Sequence, residues 1–524
     1  MKVAENKPMP DPVMLPPAPK WDIGPTYVFQ KELGTGTYGS VCEAIVADTG
    51  DRVAIKRFTD LFKDQVMCKR ILREIEILYS LNHELIVRPF DMFTRNNNTE
   101  VYLVMELGQS NLKNLFMHPV YLDPKQIQLL MYRLLVALNY LHSGGIVHRD
   151  VKPDNILVNE DCSIHLCDFS ISRSTAGLRS CGFDCDMAIR RNPKLNMSVS
   201  SFNSLASMSL QSLSATRLDE MEEDADEFAE GTASNKKKIV SGCSFEVKFP
   251  KAAAATSTPT AKPDKSAMEE RKKQGKPKAL TTADKERILE SRKRLQRESL
   301  LDRLKEIVPE FERELTGHIG SRWYRSPEIV LFEKIYTTSV DVWAAGCVFA
   351  ELLQMMIKNQ PDYHKRRPLF PGDSCFPFSP SAAPTVYVGG FPVSAYDQFN
   401  MILSVKGTPG KDDVSFVEDK TAQEYIKGFA SVFGVYPKVN LKDAFKAADP
   451  LAIDLLERLL TFNPYYRITV QEALKHRYFE DIRNKAIETE FMEPVHLQTE
   501  DYSYDQIMPK AIELLYQIRD HHLP

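Results

Sequence analysis

The sequence predicts an α+β fold of two lobes, a smaller strand-rich lobe followed by a larger helical one. Over residues 27–104 the apolar residues fall in strand-like runs with a helical interruption at about 65–80. Over 112–140 their spacing is helical, and helical runs resume after residue 320 and continue to 479. A strand-rich part followed by a helix-rich part is typical of an α+β fold rather than of alternating β and α units.

The composition is that of an ordinary globular protein. The 524 residues are 43% hydrophobic and 26% charged, and a net charge of −4 favours no class of partner. The most apolar stretch, 342–357, is broken by Glu351 and predicts a buried helix, so no membrane partner is expected. The start of the chain lacks a signal-peptide layout, and Lys2 stands where N-myristoylation needs a glycine. Nine unpatterned cysteines predict free thiols in a reducing compartment, the cytoplasm or alternatively the nucleus.

Changes in composition divide the chain into a core and several less regular segments. A Pro-rich tail, with Pro16 and Pro19 in a P-x-x-P arrangement, is either a plain extended tail or a ligand for an SH3-type domain. A short insert rich in Pro, Ser and Gly predicts a surface loop. The predicted boundaries are a tail at 1–26, a first lobe at 27–107, a second lobe at 108–480 with inserts at 174–312 and 375–393, and an extension at 481–524 that ends in a helix at 506–519.

The longer insert differs in composition from the rest of the chain. Residues 198–217 are rich in Ser, 219–230 are dominated by Asp and Glu, and 269–297 are dense in Lys, Arg and Glu. Little of this can form a packed core, so disorder is expected over most of it. Residues 284–308 carry apolar side chains at helical spacing and predict an amphipathic helix, either packed on the main domain or solvated. The basic runs leave a nuclear-import or nucleic-acid element as an alternative, although nucleic acid is not the expected partner.

The main chemical signal is the string HRDVKPDN at 148–155, with a DFS triplet thirteen residues after it. Transfer of a phosphoryl group to a hydroxyl needs one Asp to accept the hydroxyl proton. It also needs an Asn and a second Asp to hold metal against the nucleotide phosphates. Asp150, Asn155 and Asp168 occupy those positions, and their oxygen atoms suit Mg²⁺. Lys152 fits a Ser or Thr acceptor rather than Tyr.

A glycine-rich segment, GTGTYGSV, lies between two strand-like runs near the start of the first lobe. Its glycines, Gly34, Gly36 and Gly39, let the backbone approach phosphates without Cβ clashes. The same pattern occurs in dinucleotide-binding folds, but there a helix follows it and here a strand does. The next strand-like run ends at Lys56, which would neutralise phosphate charge and be held by Glu74 on the predicted helix.

These motifs resemble those of the eukaryotic protein kinases and, within them, of the mitogen-activated protein kinases. The matching pieces run over about 27–479 apart from the two inserts, and the narrower resemblance rests on four strings. They are ILREI at 71–75, RWYRSPE at 322–328, DVW at 341–343 and LFPGD at 369–373. The resemblance implies a bilobal kinase fold and a Ser/Thr protein kinase of intracellular signalling, with ATP and Mg²⁺ as cofactors and proteins as substrates.

The resemblance also implies the rest of a nucleotide site and two structural contacts. Met105 would lie behind the adenine, and 106–108 would form the hinge that hydrogen-bonds it. Glu328 and Arg467 would form a buried ion pair, and Asp341 would support the catalytic loop. The residues that the resemblance assigns to the nucleotide, besides the glycines and Lys56, are Val41, Ala54, Met105, Glu106, Leu107, Gly108 and Leu157.

The family's activating motif, Thr-x-Tyr, is only half retained in this chain. The matching triplet is Thr-Gly-His, beginning at Thr316, so the Thr is kept and the Tyr is lost. The family binds its phosphothreonine with three arginines, and Arg73, Arg149 and Arg173 match them. Three guanidinium groups would give a phosphate several charge-assisted hydrogen bonds; the alternative is that they make ordinary carboxylate pairs. The resemblance implies activation through Thr316 alone, by an upstream kinase or by autophosphorylation.

Three further positions bear on specificity and activity. Arg322 and Arg325 match residues that shape a pocket for proline after the target residue, which implies substrates with Ser-Pro or Thr-Pro sites. Ser321 replaces a Thr that contacts the catalytic Asp, and its hydroxyl can make the same contact. Ser170 replaces the usual Gly, and its Cβ restricts the backbone beside the metal-binding Asp. That change and the long insert favour a rival hypothesis, a catalytically weak nucleotide-binding scaffold, but Lys56 and the other catalytic residues are all retained.

Overall fold

The structure is a computed structural model that describes residues 21–36, 39–59, 61–175, 321–331, 336–375, 386–388, 391–417 and 420–522. The chain divides into two compact units. The first draws on Met1–Ile71, Pro89–Leu107 and Tyr504–Pro524, and the second on Leu72–Arg88 and Gly108–Ser503. The predictions for residues 1–20, for the Thr316 motif and for nearly all of the 174–312 insert lie outside the described residues.

The first unit is built on an antiparallel sheet of five strands. The strands are β1 (Tyr27–Gly36), β2 (Gly39–Val46), β3 (Arg52–Phe58), β4 (Pro89–Arg95) and β5 (Glu100–Glu106). They lie in the order β1-β2-β3-β5-β4. Because alternate residues of a strand point to the same face, Ile55, Tyr102 and Val104 gather in one buried core. The strand-like part that the sequence predicted is therefore this sheet.

One helix lies between β3 and β4 along the chain, and the other described helices follow the sheet. The described α-helices are α1 (Gln65–Ser80), α2 (Leu112–Met117), α3 (Pro124–Ser143), α4 (Pro327–Val330), α5 (Ser339–Gln354), α6 (Gln398–Lys406), α7 (Lys420–Phe433), α8 (Leu441–Ala444), α9 (Pro450–Leu459), α10 (Val470–Leu474) and α11 (Tyr504–His522). Helix α1 has the predicted bounds, and α11 contains the predicted helix at 506–519. The helical spacing over 112–140 belongs to two helices, because Asp123 caps α3 in a reciprocal capping box with Gln126 and Pro124 opens it.

Helix α5 is the apolar centre of the second unit. Every residue after Ser339 is buried, and Trp343 stacks on Phe370 with ring centroids 5.3 Å apart. The Tyr324 hydroxyl donates a hydrogen bond to Oε1 of Glu351 at 2.7 Å, so the polar group that interrupts this apolar stretch has a partner. The buried helix predicted here is confirmed. No helix among the described residues is long and apolar enough to cross a membrane.

Short strand pairs in the second unit position its loops. β6 (Ser110–Asn111), β8 (Ile156–Val158) and β9 (Ile164–Leu166) form one sheet, β7 (Ile146–Val147) pairs with β10 (Arg173–Ser174), and β11 (Val386–Val388) pairs with β12 (Phe391–Val393). The segment with the HRDVKPDN string runs from β7 to β8. Both ends of this candidate catalytic loop are therefore fixed by strand pairing.

Two predicted boundaries differ from the structure. The sequence predicted a surface loop at 375–393, but its described part contains the β11–β12 hairpin, and Val388 and Val393 are buried. Three-residue strands are too short to show the alternation that predicts a strand. The longer insert was placed from residue 174, yet Ser174 pairs with Ile146 in the β7–β10 ladder. The polar side chain of Ser174 does not indicate that its backbone pairs with another strand.

Candidate active site

The carboxylate of Asp150 is held by three neighbours. The ammonium group of Lys152 lies 2.7 Å from Oδ2, and the amide of Asn155 donates to the same oxygen at 3.1 Å. The backbone N–H of Ser321 donates to Oδ1 at 3.0 Å, and its hydroxyl lies 3.4 Å from that oxygen. Asp150 is only 8% exposed. A carboxylate with this many donors keeps one orientation, which a proton acceptor in catalysis needs.

A second carboxylate supports the loop that carries Asp150. Asp341, on α5, accepts the backbone N–H groups of His148 at 2.9 Å and of Arg149 at 2.8 Å, and it shares a 2.9 Å hydrogen bond with Nε2 of His142. Burial alone would raise the pKa of Asp341, but its hydrogen bonds and the histidines lower it overall. Arg149 has a φ of +70°, which is uncommon for a residue other than glycine. Helix α5 therefore stabilises the unusual turn that presents Asp150.

The two residues that the sequence assigned to a metal offer oxygen ligands. The amide nitrogen of Asn155 donates to the backbone carbonyl of Asp150 at 2.9 Å, which leaves the amide oxygen as the metal donor. Asp168, just after β9, contributes a carboxylate and has a φ of +64°. An amide oxygen with a carboxylate suits Mg²⁺ better than a softer metal. Within the described part of the chain, no group of three or more His, Cys, Asp or Glu is arranged to hold a metal ion.

Ser170 does not have the left-handed backbone conformation that would favour glycine. The non-glycine residues with positive φ include Asp168 but not Ser170, so a Cβ is tolerated there. Phe169, between them, is fully buried and meets the His148 ring at a centroid distance of 4.9 Å. The sequence predicted that the Cβ of Ser170 restricts the backbone. That restriction does not force Ser170 into a left-handed conformation.

Lys152 is held in its charged form beside Asp150. Burial would lower the pKa of Lys152, but the charge and hydrogen bond of Asp150, and then Asp168 and Asp154, raise it above its ordinary value. Asp154 is itself paired with Lys113, whose ammonium group lies 2.6 Å from Oδ1. The loop therefore combines a fixed carboxylate with a fixed positive charge.

In the first unit, the sheet sets the position of Lys56. On β3 this residue faces Val41 of β2 and Leu103 of β5. Two residues earlier on the same strand, Ala54 faces Met105, and both of these side chains are buried. The candidate phosphate-binding lysine and two of the candidate adenine-binding residues thus stand on adjacent, hydrogen-bonded strands.

The glycines of the glycine-rich segment play different structural roles. A Cβ on Gly39 would lie 2.2 Å from the carbonyl oxygen of Arg57, and its φ is +146°. A Cβ on Gly34 would have no atom within 4 Å. Gly36 faces Gly39 across the β1–β2 hairpin. The fold itself therefore requires Gly39, whereas no described residue packs closely enough against Gly34 to require glycine there, and its predicted approach to phosphate stays a prediction.

The candidate hinge residues stand where one unit of the chain ends and the other begins. Glu106 ends β5, Leu107 is the last residue of this part of the first unit, and Gly108 opens the second. A Cβ on Gly108 would lie 2.7 Å from Cβ of Leu157, so close packing requires glycine here. Glu74 is buried and belongs to the second unit. Its predicted contact with the lysine of β3 stays a prediction.

The ion pair that the resemblance implied is present in the second unit. Both guanidinium nitrogens of Arg467 meet the carboxylate of Glu328, at 2.7 and 2.9 Å, and the two side chains are 0% and 1% exposed. Arg467 also donates to the backbone carbonyls of Thr461, Ser339 and Phe462. All of its donors point at acceptors, which is what makes a buried charge tolerable.

The string at 369–373 positions the residues assigned to substrate proline. The Arg322 guanidinium donates to the carbonyl of Asp373, and Nε1 of Trp323 donates to that of Gly372 at 2.8 Å. Burial, and then the charge of Arg325, lowers the pKa of Arg322. The two arginines therefore lie near each other on a segment that is tied down by backbone carbonyls.

The three arginines assigned to phosphothreonine lie together, with a carboxylate among them. Burial and then the charges of Arg73 and Arg149 lower the pKa of Arg173 to about 9. Nε of Arg73 lies 2.7 Å from Oε1 of Glu500, and Arg149 donates to the Tyr336 hydroxyl at 2.6 Å. Since the candidate phosphosite is outside the described residues, the phosphate contact itself stays a prediction.

Sequence reasoning missed the residues that join the extension to α1. Glu500 is 427 positions from its partner Arg73. Glu76 accepts the backbone N–H groups of Gln498 and, at 3.0 Å, of Thr499. No local pattern links a helix near the start of the chain to a turn near its end, so a single sequence carried no signal for these contacts.

Comparisons with known proteins agree with this geometry. The family described as "Protein kinase domain" matches residues 27–183, which include both the glycine-rich segment and the catalytic loop. The chain is 25% identical to mitogen-activated protein kinase p38b of Drosophila melanogaster over 88% of this chain and 81% of that protein. It is 26% identical to mitogen-activated protein kinase 3 of Oryza sativa subsp. japonica over 88% and 80%. It is 25% identical to mitogen-activated protein kinase 13 of Homo sapiens over 90% and 84%.

The match extends well beyond the catalytic loop. The similarity covers at least four fifths of each of these relatives and 88–90% of this chain. The family uses ATP as phosphoryl donor and typically Mg²⁺. With its sheet, its fixed catalytic carboxylate and these relatives, the chain is a protein-serine/threonine kinase, which contains a protein kinase domain and is similar to mitogen-activated protein kinases over most of its length.

Proposed function

We propose that this kinase transfers the γ-phosphoryl group of ATP to Ser or Thr residues that are followed by Pro in protein substrates. The observation that carries the proposal is the carboxylate of Asp150, oriented by Lys152, Asn155 and Ser321. An oriented carboxylate accepts the proton of the substrate hydroxyl as its oxygen attacks phosphorus. The adjacent ammonium group of Lys152 stabilises the charge on the transferred phosphoryl group.

Several residues support the use of ATP with Mg²⁺. Asn155 and Asp168 would hold the metal through hard oxygen donors, and Lys56 would pair with the nucleotide phosphates. The open space at Gly34 leaves its backbone accessible to a phosphate. When bound, Mg²⁺ neutralises charge on the phosphates during transfer.

The preference for proline rests on the segment that carries Arg322 and Arg325. This segment is fixed by the bonds of Trp323 to a backbone carbonyl and of Tyr324 to Glu351, so it can present a constant surface to the residue after the acceptor. A peptide-library assay should show Pro enriched at that position. A flat profile there would refute the proposed specificity.

Activation is proposed to need phosphate on Thr316 alone. The cluster of Arg73, Arg149 and Arg173 supports it, because three cations can bind one phosphate by charge-assisted bonds. The phosphate would come from an upstream kinase or from autophosphorylation. Replacing Thr316 with Ala should lower activity strongly, and full activity in that variant would refute the switch.

The proposed location is the cytoplasm, with the nucleus as the alternative. The six cysteines of the described part of the chain are thiols outside disulfide bonds, which is typical of a reducing compartment. Imaging of the fluorescently tagged chain in cells would test this. A signal confined to secretory compartments would contradict the proposal.

The catalytic assignment is tested with purified protein, ATP, Mg²⁺ and a generic basic protein substrate. Asp150→Asn keeps the shape of the side chain and should keep the fold, but it removes the proton acceptor. Transfer should fall by roughly 10² or more. Equal turnover by Asp150→Asn and the unchanged chain would indicate a contaminating kinase and would refute the proposal.

A further inference from the structure

The arginine cluster, defined as Arg73, Arg149 and Arg173, already holds a carboxylate from the extension. Oε1 of Glu500 lies 2.7 Å from Nε of Arg73, and the side chains of the two residues are 11% and 4% exposed. A charge-assisted contact of this length with little access to solvent is strong. The extension therefore delivers an anion to the place at which the proposed function puts a phosphothreonine.

A single carboxylate does not neutralise the cluster. Three guanidinium groups carry three positive charges, and Glu500 supplies one negative charge. The pKa of Arg173 falls to about 9, because burial and the charges of Arg73 and Arg149 outweigh Glu500. Tyr336 accepts a 2.6 Å hydrogen bond from Arg149, but burial raises its pKa and keeps its hydroxyl neutral. A dianionic phosphomonoester would balance the cluster better than one carboxylate does.

The extension is held in place by contacts that do not involve the cluster. Glu76 accepts the backbone N–H groups of Gln498 and Thr499, and Thr499 is fully buried. Earlier in the same segment, the backbone N–H of Val495 donates to the carbonyl of Gly144 at 2.8 Å. Because the backbone is anchored separately, an anion that enters the cluster has to displace only the side chain of the glutamate.

We propose that Glu500 is a built-in competitor whose carboxylate occupies the arginine cluster until a phosphomonoester dianion displaces it. The inference rests on the proposed function only in taking the cluster as a phosphate site. The dianion has the same chemistry whether it comes from phosphothreonine of this chain or from a phosphorylated partner. Arg73 lies on α1, Arg149 in the catalytic loop and Arg173 on β10, so the exchange replaces the carboxylate of Glu500 by a dianion that can join all three elements.

The competitor is tested by the binding of inorganic phosphate to the full, unphosphorylated chain at low ionic strength, without ATP, by calorimetry. Glu500→Gln should bind phosphate about tenfold more tightly than the unchanged chain, because one charge-assisted bond no longer has to be displaced. The matched control is Asp501→Asn, since that neighbouring carboxylate is exposed and pairs with His496 at 3.0 Å instead. The control should bind phosphate like the unchanged chain, and Arg173→Gln should not bind it.

Three results would overturn the proposal. They are unchanged or weaker binding by folded Glu500→Gln, equal tightening by Asp501→Asn, and binding that survives in Arg173→Gln. Thermal unfolding checks that each variant folds. If Glu500→Gln does not fold, Glu500→Asp takes its place, because its shorter side chain reaches Arg73 less well. This variant should bind phosphate more tightly than the unchanged chain, by less than Glu500→Gln would. An unchanged affinity for phosphate in Glu500→Asp would also overturn the proposal. Because the test measures phosphate binding and not catalysis, its result can be interpreted even if the proposed catalytic function is wrong.

A final experiment distinguishes the chain's own phosphothreonine from a phosphorylated partner as the source of the phosphate. The chain is phosphorylated on Thr316, checked by mass spectrometry, and titrated again with inorganic phosphate. Loss of binding supports the chain's own phosphothreonine as the ligand of the cluster. Retained binding overturns that source and assigns the cluster to a phosphorylated partner.

Discussion

Two arginine–carboxylate pairs of the second unit have the same contact distance but differ in the exposure of their side chains and in the balance of charge around them. In the Glu328–Arg467 pair both carboxylate oxygens are bound, and the side chains are 1% and 0% exposed. In the Arg73–Glu500 pair, Nε of Arg73 lies 2.7 Å from Oε1 of Glu500, and the side chains are 4% and 11% exposed. The first pair is balanced in charge and enclosed, whereas the second belongs to a cluster with more positive than negative charge.

The difference separates a contact that holds the fold from one that can be exchanged. Arg467 gives its remaining donors to three backbone carbonyls, and both side chains of the pair are enclosed, so an anion from solvent has no access to replace Glu328. Glu500 reaches the cluster from a segment that Glu76 anchors independently. A rigid pair suits a contact that holds the fold, and a replaceable carboxylate suits a site that changes its ligand.

The largest expected effect is the loss of the enclosed pair. Glu328→Gln leaves the charge of Arg467 buried without its counter-ion, and breaking such a pair costs about 3–5 kcal/mol. We expect the free energy of unfolding, measured by chemical denaturation, to fall by that amount. Added phosphate should not restore it, because Arg467 is 0% exposed. A loss below about 1 kcal/mol would show that the two pairs are energetically alike.

The next effect concerns a third buried carboxylate, which has a hydroxyl instead of an arginine as its partner. Burial raises the pKa of Glu351 from 4.5 to about 8, although the hydrogen bond from Tyr324 opposes the shift. Between those values the folded state binds a proton that the unfolded state has released, so the free energy of unfolding falls as pH rises through this window. The loss is roughly 1.4 kcal/mol for each unit of pKa difference.

The test is to compare the pH dependence of the chain with that of Glu351→Gln. The variant cannot titrate, and its amide can still accept the hydrogen bond of Tyr324, so its unfolding free energy should vary less with pH than that of the unchanged chain. Parallel curves for the two proteins between pH 4.5 and about 8 would mean that Glu351 is ionised in the folded state. The exposed Glu424→Gln, on α7, is the matched control and should leave the curve unchanged.

A smaller effect is expected for the exchangeable pair. Glu500→Gln should lower the free energy of unfolding by about 1–2 kcal/mol at low ionic strength, because a charge-assisted bond is lost and the three arginines repel one another. Phosphate or sulfate should restore most of the loss by entering the cluster. Denaturation curves with and without the anion measure this. A loss that no anion restores would make this pair a fixed contact like that of Glu328.

How far the sequence predicts these features depends on how local they are. The sheet, α1, α5 and the order of Asp150, Asn155 and Asp168 follow from periodicity and spacing within short windows. The β11–β12 hairpin is too short for periodicity to reveal it. The place of Glu500 depends on packing between segments 427 positions apart, and the support of Asp150 by a backbone N–H depends on a turn that residue types do not specify.

The smallest expected effect tests the contact between Ser321 and the carboxylate of Asp150. Ser321 reaches Oδ1 of Asp150 through its backbone N–H at 3.0 Å and through its hydroxyl at 3.4 Å. Ser321→Ala keeps the shorter bond and loses a long one worth about 0.5 kcal/mol, so kcat should fall no more than about threefold. Lys152→Ala, by contrast, removes a charge that lies 2.7 Å from the carboxylate and should cost roughly 10² or more. Steady-state kinetics of both variants measure the difference. Equal losses would mean that the hydroxyl, rather than the backbone, orients the catalytic carboxylate.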